Sequence, residues 1–123
     1  MEMQIESRLS DQIERYLDLA TGEAKLAAAN MANIDTPGYR TVGMDFESEM
    51  RDALQSTDRS DGAAHPVRVR EVEGLIARPD GNDVSLDRES LNLADAQLKF
   101  KTGVALLRVQ YQLVLDAIHA DSK

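Results

Sequence analysis

The chain has 123 residues, a formal net charge of −8 at pH 7, no cysteine and no tryptophan. That length holds about one domain, and the acidic balance argues against nucleic acid and against an anionic membrane surface, both of which call for a basic footprint. Without cysteine there is neither a disulfide framework nor a thiolate zinc site, and aromatics at 4% against 42% hydrophobic residues leave Ala, Leu and Val to pack, as in helix seams.

The first element reads from about Ile5 to Ile34. Ile5, Leu9, Ile13 and Tyr16 lead into Leu17, Ala20, Ala24, Ala27, Met31 and Ile34, which recur at steps of three and four. That is the apolar seam of a long amphipathic helix that packs on another helix. Gly22 costs about 1 kcal/mol relative to alanine and leaves a kink or a break into two helices open. The alanines that follow it let a neighbour approach closely.

The helix should stop hard after Ile34. Thr36 precedes Pro37, which disfavours the α region, and Gly38 is free to take positive φ. Asn30 and Asn33 stand in the last turn, where free carbonyls lie within reach of an amide side chain. An ordinary helix C-terminus followed by a turn accounts for these residues on physics alone.

The middle of the chain is less regular. Met44 to Leu54 predicts a short helix with Phe46, Met50, Ala53 and Leu54 on one side. Gln55 to Gly62 has loop composition. Val67-Arg68-Val69-Arg70 alternates with period two and reads as a short strand, paired with Leu75-Ile76-Ala77 across a turn at Glu73-Gly74. Pro79-Asp80-Gly81-Asn82 is a turn by composition.

The last element follows, with Asp83, Ser85 and Asp87 as alternative caps. Phe100, Val104, Leu107, Tyr111, Val114 and Ile118 form a second seam, and Leu106, Val109, Leu113 and Ala117 form a stripe beside it. One partner helix needs one narrow seam, whereas this helix is apolar around most of its circumference. Each terminal helix would be roughly 45 Å long at about 1.5 Å per residue, and the middle is too small and polar to cover the surplus. A lone monomer would expose an apolar patch or leave its ends partly unfolded. The expected fold is mainly α: long N- and C-terminal helices pair as an antiparallel coiled coil around a small irregular middle segment with a short β-hairpin. The divisions are 1–36, 37–82 and 83–123.

No constellation reads as a catalytic, cofactor or metal site. His65 and His119 are far apart and read as a loop histidine and a helix-end histidine. Counting a calcium loop from Asp80 puts glycine second and valine fifth, which fails the ligand pattern. Asp45/Glu49 and Asp87/Glu89 read as solvated charge, and Val67-Arg68-Val69-Arg70 is weak as a basic site. Phe46 and Met50, four apart, read as packing together on one helix face. The expectation is a non-enzyme with no cofactor. Met1 to Arg8 lacks the positive start and apolar run of a cleavable signal, and no stretch reaches the roughly 18 apolar residues of a membrane span.

Ala29-Asn30-Met31-Ala32-Asn33-Ile34-Asp35-Thr36-Pro37-Gly38-Tyr39-Arg40 resembles the N-terminal signature of the bacterial flagellar rod and hook proteins. There a helix ends in Asn-hydrophobic-Ala-Asn, two further residues, then Thr-Pro-Gly-Tyr. Asn30, Asn33, Thr36, Pro37, Gly38 and Tyr39 carry the match. Met44 to Leu54 and Asp80 to Glu89 are similar to the corresponding segments of proximal-rod members. Distal-rod and hook proteins have a longer middle, and Gln55 to Pro66 matches nothing. The resemblance implies a structural subunit of the basal-body rod, a periplasmic drive shaft needed for motility, whose terminal helices form the core of a tubular assembly. It implies copies of itself, other rod proteins and an export-gate or basal-body adaptor as partners. It also implies passage through the flagellar type III export apparatus without signal cleavage, with Phe46 and Met50 as export-recognition residues. Another rod subunit, or a soluble helical adaptor or export chaperone, is the alternative.

Overall fold

The computed structural model describes residues 2–55 and 66–121. In chain order it comprises α1 (Glu2–Ala32), β1 (Val42–Gly43), α2 (Phe46–Gln55), β2 (Arg70–Glu71) and α3 (Leu86–Asp121). Asn30 meets Glu89, Glu23 meets Lys99 and Leu17 meets Gly103, so α1 and α3 run antiparallel along each other. The loop assigned to Gln55–Gly62 and His65 lie outside the described residues, apart from Gln55, which closes α2.

Helix α1 is continuous through Gly22. The glycine acts as a notch: a Cβ there would sit 3.7 Å from Met44 Sδ, in ordinary contact with a side chain from the segment after β1. Ala20 and Ala27 are buried, Leu17, Ala24 and Met31 are half-buried, and Ile13 and Leu19 add to the same interior.

On α3 the stripe facing α1 differs from the predicted seam. Glu89, Ala96, Gly103 and Gln110, seven residues apart, are buried. Of the predicted residues, Val104, Leu107 and Val114 are half-buried, while Phe100, Tyr111 and Ile118 point outward. Close approach explains the shift. A Cβ on Gly103 would fall 2.6 Å from Leu17 Cδ2 and 3.0 Å from Tyr16 Cδ1, so the helices meet where α3 has least bulk.

The predicted hairpin is not formed. Strand β2 pairs antiparallel with β1, Val42 opposite Glu71 and Gly43 opposite Arg70, and Val72 N donates to Thr41 O at 2.9 Å beyond the strand ends. Residues 75–77 join no strand. Both backbone groups of Val42 are bonded to Asn30, which sets this edge against the helices.

Helix α2 forms where a short helix is expected, beginning at Phe46, two residues after Met44, and ending at Gln55, one after Leu54. Asp45 caps it, its Oδ1 accepting from Ser48 N at 3.1 Å. Phe46 docks it on both long helices: Tyr16 lies edge-on at 5.3 Å between ring centroids, and Lys99 Nζ sits 4.0 Å over the ring. Of the three cap candidates for α3, Ser85 fills the role, its Oγ accepting from Arg88 N at 3.3 Å.

Candidate assembly joint at the end of the first helix

The last turn of α1 tightens before it stops. Asn33 N reaches both Ala29 O and Asn30 O, and Ile34 N donates to Met31 O at 3.2 Å, the i→i+3 pattern common at helix ends. Thr36-Pro37-Gly38-Tyr39 then makes a turn closed by Tyr39 N to Thr36 O at 3.2 Å, with Gly38 at φ +76°. Proline second and a positive-φ glycine third are the requirements of a type II turn.

Asn30 organises the joint. It is buried, and all four of its hydrogen-bonding positions are used. Nδ2 donates to Val42 O at 2.8 Å and Glu89 Oε2 at 3.0 Å. Oδ1 accepts from Tyr39 Oη at 3.0 Å and Val42 N at 3.1 Å. One side chain therefore ties α1 to β1, to the turn and to α3. Asn33 does what its place in the last turn predicts, donating to Ala29 O at 2.8 Å, while its Oδ1 accepts from Thr36 Oγ1 at 3.0 Å.

A second turn, far along the chain, clamps the first. Asn82, fully buried, donates its Nδ2 to Asn33 O at 2.9 Å and Thr36 O at 2.8 Å. Arg78 donates to Ile34 O and, at 2.9 Å, to Val84 O. Gly38 N donates to Asp80 O at 2.9 Å. Carbonyls of the turn just beyond the helix, those of Asn33, Ile34 and Thr36, are thus met by side chains of Arg78 and Asn82, which holds the two turns together.

Asp83 and Glu49 fasten the connection electrostatically. Asp83 Oδ1 accepts from Thr41 N at 2.6 Å, and Arg40 Nε lies 3.4 Å from its other oxygen. Burial alone pushes this carboxyl up, but the Thr41 amide and then the Arg40 guanidinium outweigh it and hold Asp83 below its ordinary range. Glu49 Oε1 accepts from Arg68 N at 3.2 Å and Arg68 Nε at 2.9 Å. Here too burial pushes up, and the bonds to Arg68 prevail and lower it. Lys99 Nζ stands 3.0 Å from both Glu23 and Asp95. Its desolvation, which favours the neutral amine, is overridden by those carboxylates, and it is raised.

The paired carboxylates read as solvated charge divide. Asp45 and Asp87 are exposed, but Glu49 and Glu89 are buried. Their charge is tolerated because each is bonded, Glu89 to Asn30 and, at 2.6 Å, to Arg88. Among the described residues no group of three or more His, Cys, Asp and Glu is placed to hold a metal ion, and no helix is long and apolar enough to cross a membrane.

Arg78, Asn82, Asp83, Glu89 and Gly103 escaped sequence reading as residues of the joint and seam. Arg78 to Asn82 carried the signal of a turn, and nothing local told which carbonyls that turn would meet. Phe46 and Met50 share one helix with Phe46 in the aromatic–cation contact, and both are half-buried.

Away from the joint, α3 leaves two apolar stripes uncovered: Leu91, Leu98, Leu106, Val109 and Leu113 along one side, and Phe100, Tyr111 (66%) and Ile118 (58%) along another. Between the first turns of α1 and the C-terminal half of α3, a groove of about 720 Å³ is lined by Ser7, Ser10, Leu107, Gln110, Tyr111 and Val114.

No protein-family model matches the chain. Against individual proteins, it is 32% identical over 122 residues to the flagellar basal body rod protein FlgB of Salmonella typhimurium strain LT2, covering 85% of this chain and 88% of the relative. It is 29% identical over 124 residues to the protein of that name from Escherichia coli K12, covering 87% and 90%. With the one from Borrelia hermsii it shares 26% over 106 residues, covering 72% and 78%.

Proposed function

The chain belongs to the FlgB family of flagellar basal body rod proteins, and we propose that it builds the proximal part of the rod through its two terminal helices. It is a structural subunit of the basal body rather than an enzyme. The observation that carries the assembly reading is the apolar surface of α3 between Leu91 and Ile118, two stripes on either side of the helix that α1 and the middle segment leave uncovered. Exposed apolar surface on this scale is the mark of an interaction surface, and neighbouring subunits are its natural cover. The residues Leu17, Ala20, Ala24, Ala27 and Met31 with Val104, Leu107 and Val114 then form the inner part of the seam. Phe100, Tyr111 and Ile118 form the outer part, against copies of the chain and other rod proteins.

In this reading Asn30, Asn33, Thr36, Pro37, Gly38 and Tyr39 are a joint that aims the connection away from the tube-forming helices. The subunit passes through the flagellar type III export apparatus without signal cleavage, meets the basal-body adaptor and seats in the periplasmic rod, where it is required for motility. Phe46 and Met50 serve export recognition. Changing both to alanine then stops secretion of a soluble subunit, whereas normal secretion with failed assembly assigns them to packing.

The test of assembly uses Tyr111→Asp and Ile118→Asp. Both positions are more than half exposed, so folding of the monomer should be nearly unchanged. A carboxylate buried between subunits costs several kcal/mol. Secretion should persist while rods and swimming are lost. Normal motility in both variants overturns the assembly role of the Tyr111 and Ile118 stripe.

A further inference from the structure

We infer that the buried bond from Asn30 to Glu89 is the register pin of the α1–α3 pair, selecting one axial alignment of two helices whose apolar faces would fit several. The inference does not depend on the rod reading.

The two facing surfaces repeat. On α1, Ile13, Ala20 and Ala27 are buried at seven-residue intervals, and on α3 Glu89, Ala96, Gly103 and Gln110 are buried at the same interval. Small side chains at the centre of the contact give it shallow relief. A slide of one heptad sets one small residue opposite another again, so dispersion and hydrophobic burial discriminate weakly between alignments. Gly103 supplies some steric preference, because Leu17 would meet the methyl of Ala96 after such a slide. A leucine side chain can turn away from one methyl.

The polar pair discriminates strongly. Glu89 is 1% exposed, and its Oε2 accepts from Asn30 Nδ2 at 3.0 Å, while Arg88 holds the other oxygen. A one-heptad slide in one direction carries Glu89 toward Glu23 and Lys99 toward Tyr16. Like charges then approach, and the Glu23–Lys99 pair is broken. In the other direction Glu89 passes the end of α1 at Ala32. Either way a buried carboxylate loses its donor from α1, and Asn30 loses its acceptor on α3. Polar residues in an otherwise apolar helix seam fix alignment in this manner at some cost in stability. Asn30 is also bound to both backbone groups of Val42. The register of the long helices is therefore transmitted to β1 and the rest of the connection.

The chain contains no cysteine, so two nitroxide labels can be placed without background at Lys25→Cys and Asp116→Cys, both exposed and well offset from each other along the helix axis, so that an axial slide changes their separation directly. Dipolar spectroscopy on the purified full-length chain then reports the axial alignment. The parent and Glu89→Gln, whose side-chain oxygen still accepts from Asn30, should give one distance. Glu89→Leu should keep its helical circular dichroism and add a second population displaced by about 10 Å along the axis, one heptad of helical rise. A single parental distance in Glu89→Leu overturns the inference, and so does a second distance in Glu89→Gln. Loss of the helical signal in Glu89→Leu also overturns it, because the pair would then hold the fold and not its register.

Discussion

Tyr39 donates its phenolic hydroxyl to the side-chain oxygen of Asn30 at 3.0 Å, so the last residue of the turn is bonded back to the helix that precedes it. The loop through Thr36, Pro37 and Gly38 is closed at both ends. Tyr39→Phe removes one hydrogen bond and leaves Asn30 Oδ1 its bond from Val42 N, for a loss of about 1 kcal/mol. Asn30→Ala strips every partner at once and leaves the buried Glu89 without its donor from α1, so a loss of about 3 kcal/mol or more is expected. Urea denaturation of the three proteins checks the ratio. Equal losses would mean that Asn30 does not organise the joint.

Gly38 sits at φ +76° with nothing within 4 Å of where a Cβ would be. Substitution there costs backbone strain without a clash. Gly38→Val should lose about 1–3 kcal/mol, and Gly38→Asn less, because asparagine tolerates the left-handed region. Thermal melts of the two variants provide the comparison. In cells, Gly38→Val should be secreted yet fail to seat its neighbours.

Gly103→Ala tests the close approach of the helices. Helix propensity favours alanine by about 1 kcal/mol, but the new methyl would fall 2.6 Å from Leu17 Cδ2. Overpacking of this kind costs about 1–3 kcal/mol. The expected net result is destabilisation, partly relieved when Leu17→Ala is added. A more stable Gly103→Ala protein would show that the seam has room to spare.

Acid should loosen the connection before it melts the helices. Asp83 and Glu49 are held below their ordinary values of 3.8 and 4.5. Each therefore contributes stability that is complete above those values and is lost as pH falls through the lower folded-state values. Lys99 is raised, so its contribution is present below its ordinary 10.5 and disappears only as pH rises past the folded-state value. Urea midpoints should stay level around neutrality and fall below about pH 4. Asp83→Asn keeps an oxygen for Thr41 N while losing the charge facing Arg40, and it should flatten part of that fall. An unchanged acid limb in Asp83→Asn would remove Asp83 from the account.

Much of this protein was legible in its sequence, and the legible parts are local. Pro37 and Gly38 end the helix through their own backbone restrictions, whatever surrounds them. The three- and four-residue recurrence of Leu17, Ala20, Ala24, Ala27 and Met31 marks a buried face because helical geometry is set within each turn. Asp45 and Ser85 cap through bonds to residues three positions on.

Tertiary structure alone decided the rest. Spacing and side-chain bulk favour Phe100, Tyr111 and Ile118 over Glu89, Ala96 and Gly103 as seam residues, yet the second set faces α1, because closest approach selects small side chains and a bonded carboxylate over bulk. Strand β2 found Val42 and not Leu75 because Asn30 presents that edge. The turn at Arg78 to Asn82 meets the carbonyls of Asn33, Ile34 and Thr36 across more than forty residues of chain. Spacing along a sequence carries no information about which free carbonyl a distant amide will reach. That is settled only when two helices lie side by side and every buried polar group must find a partner.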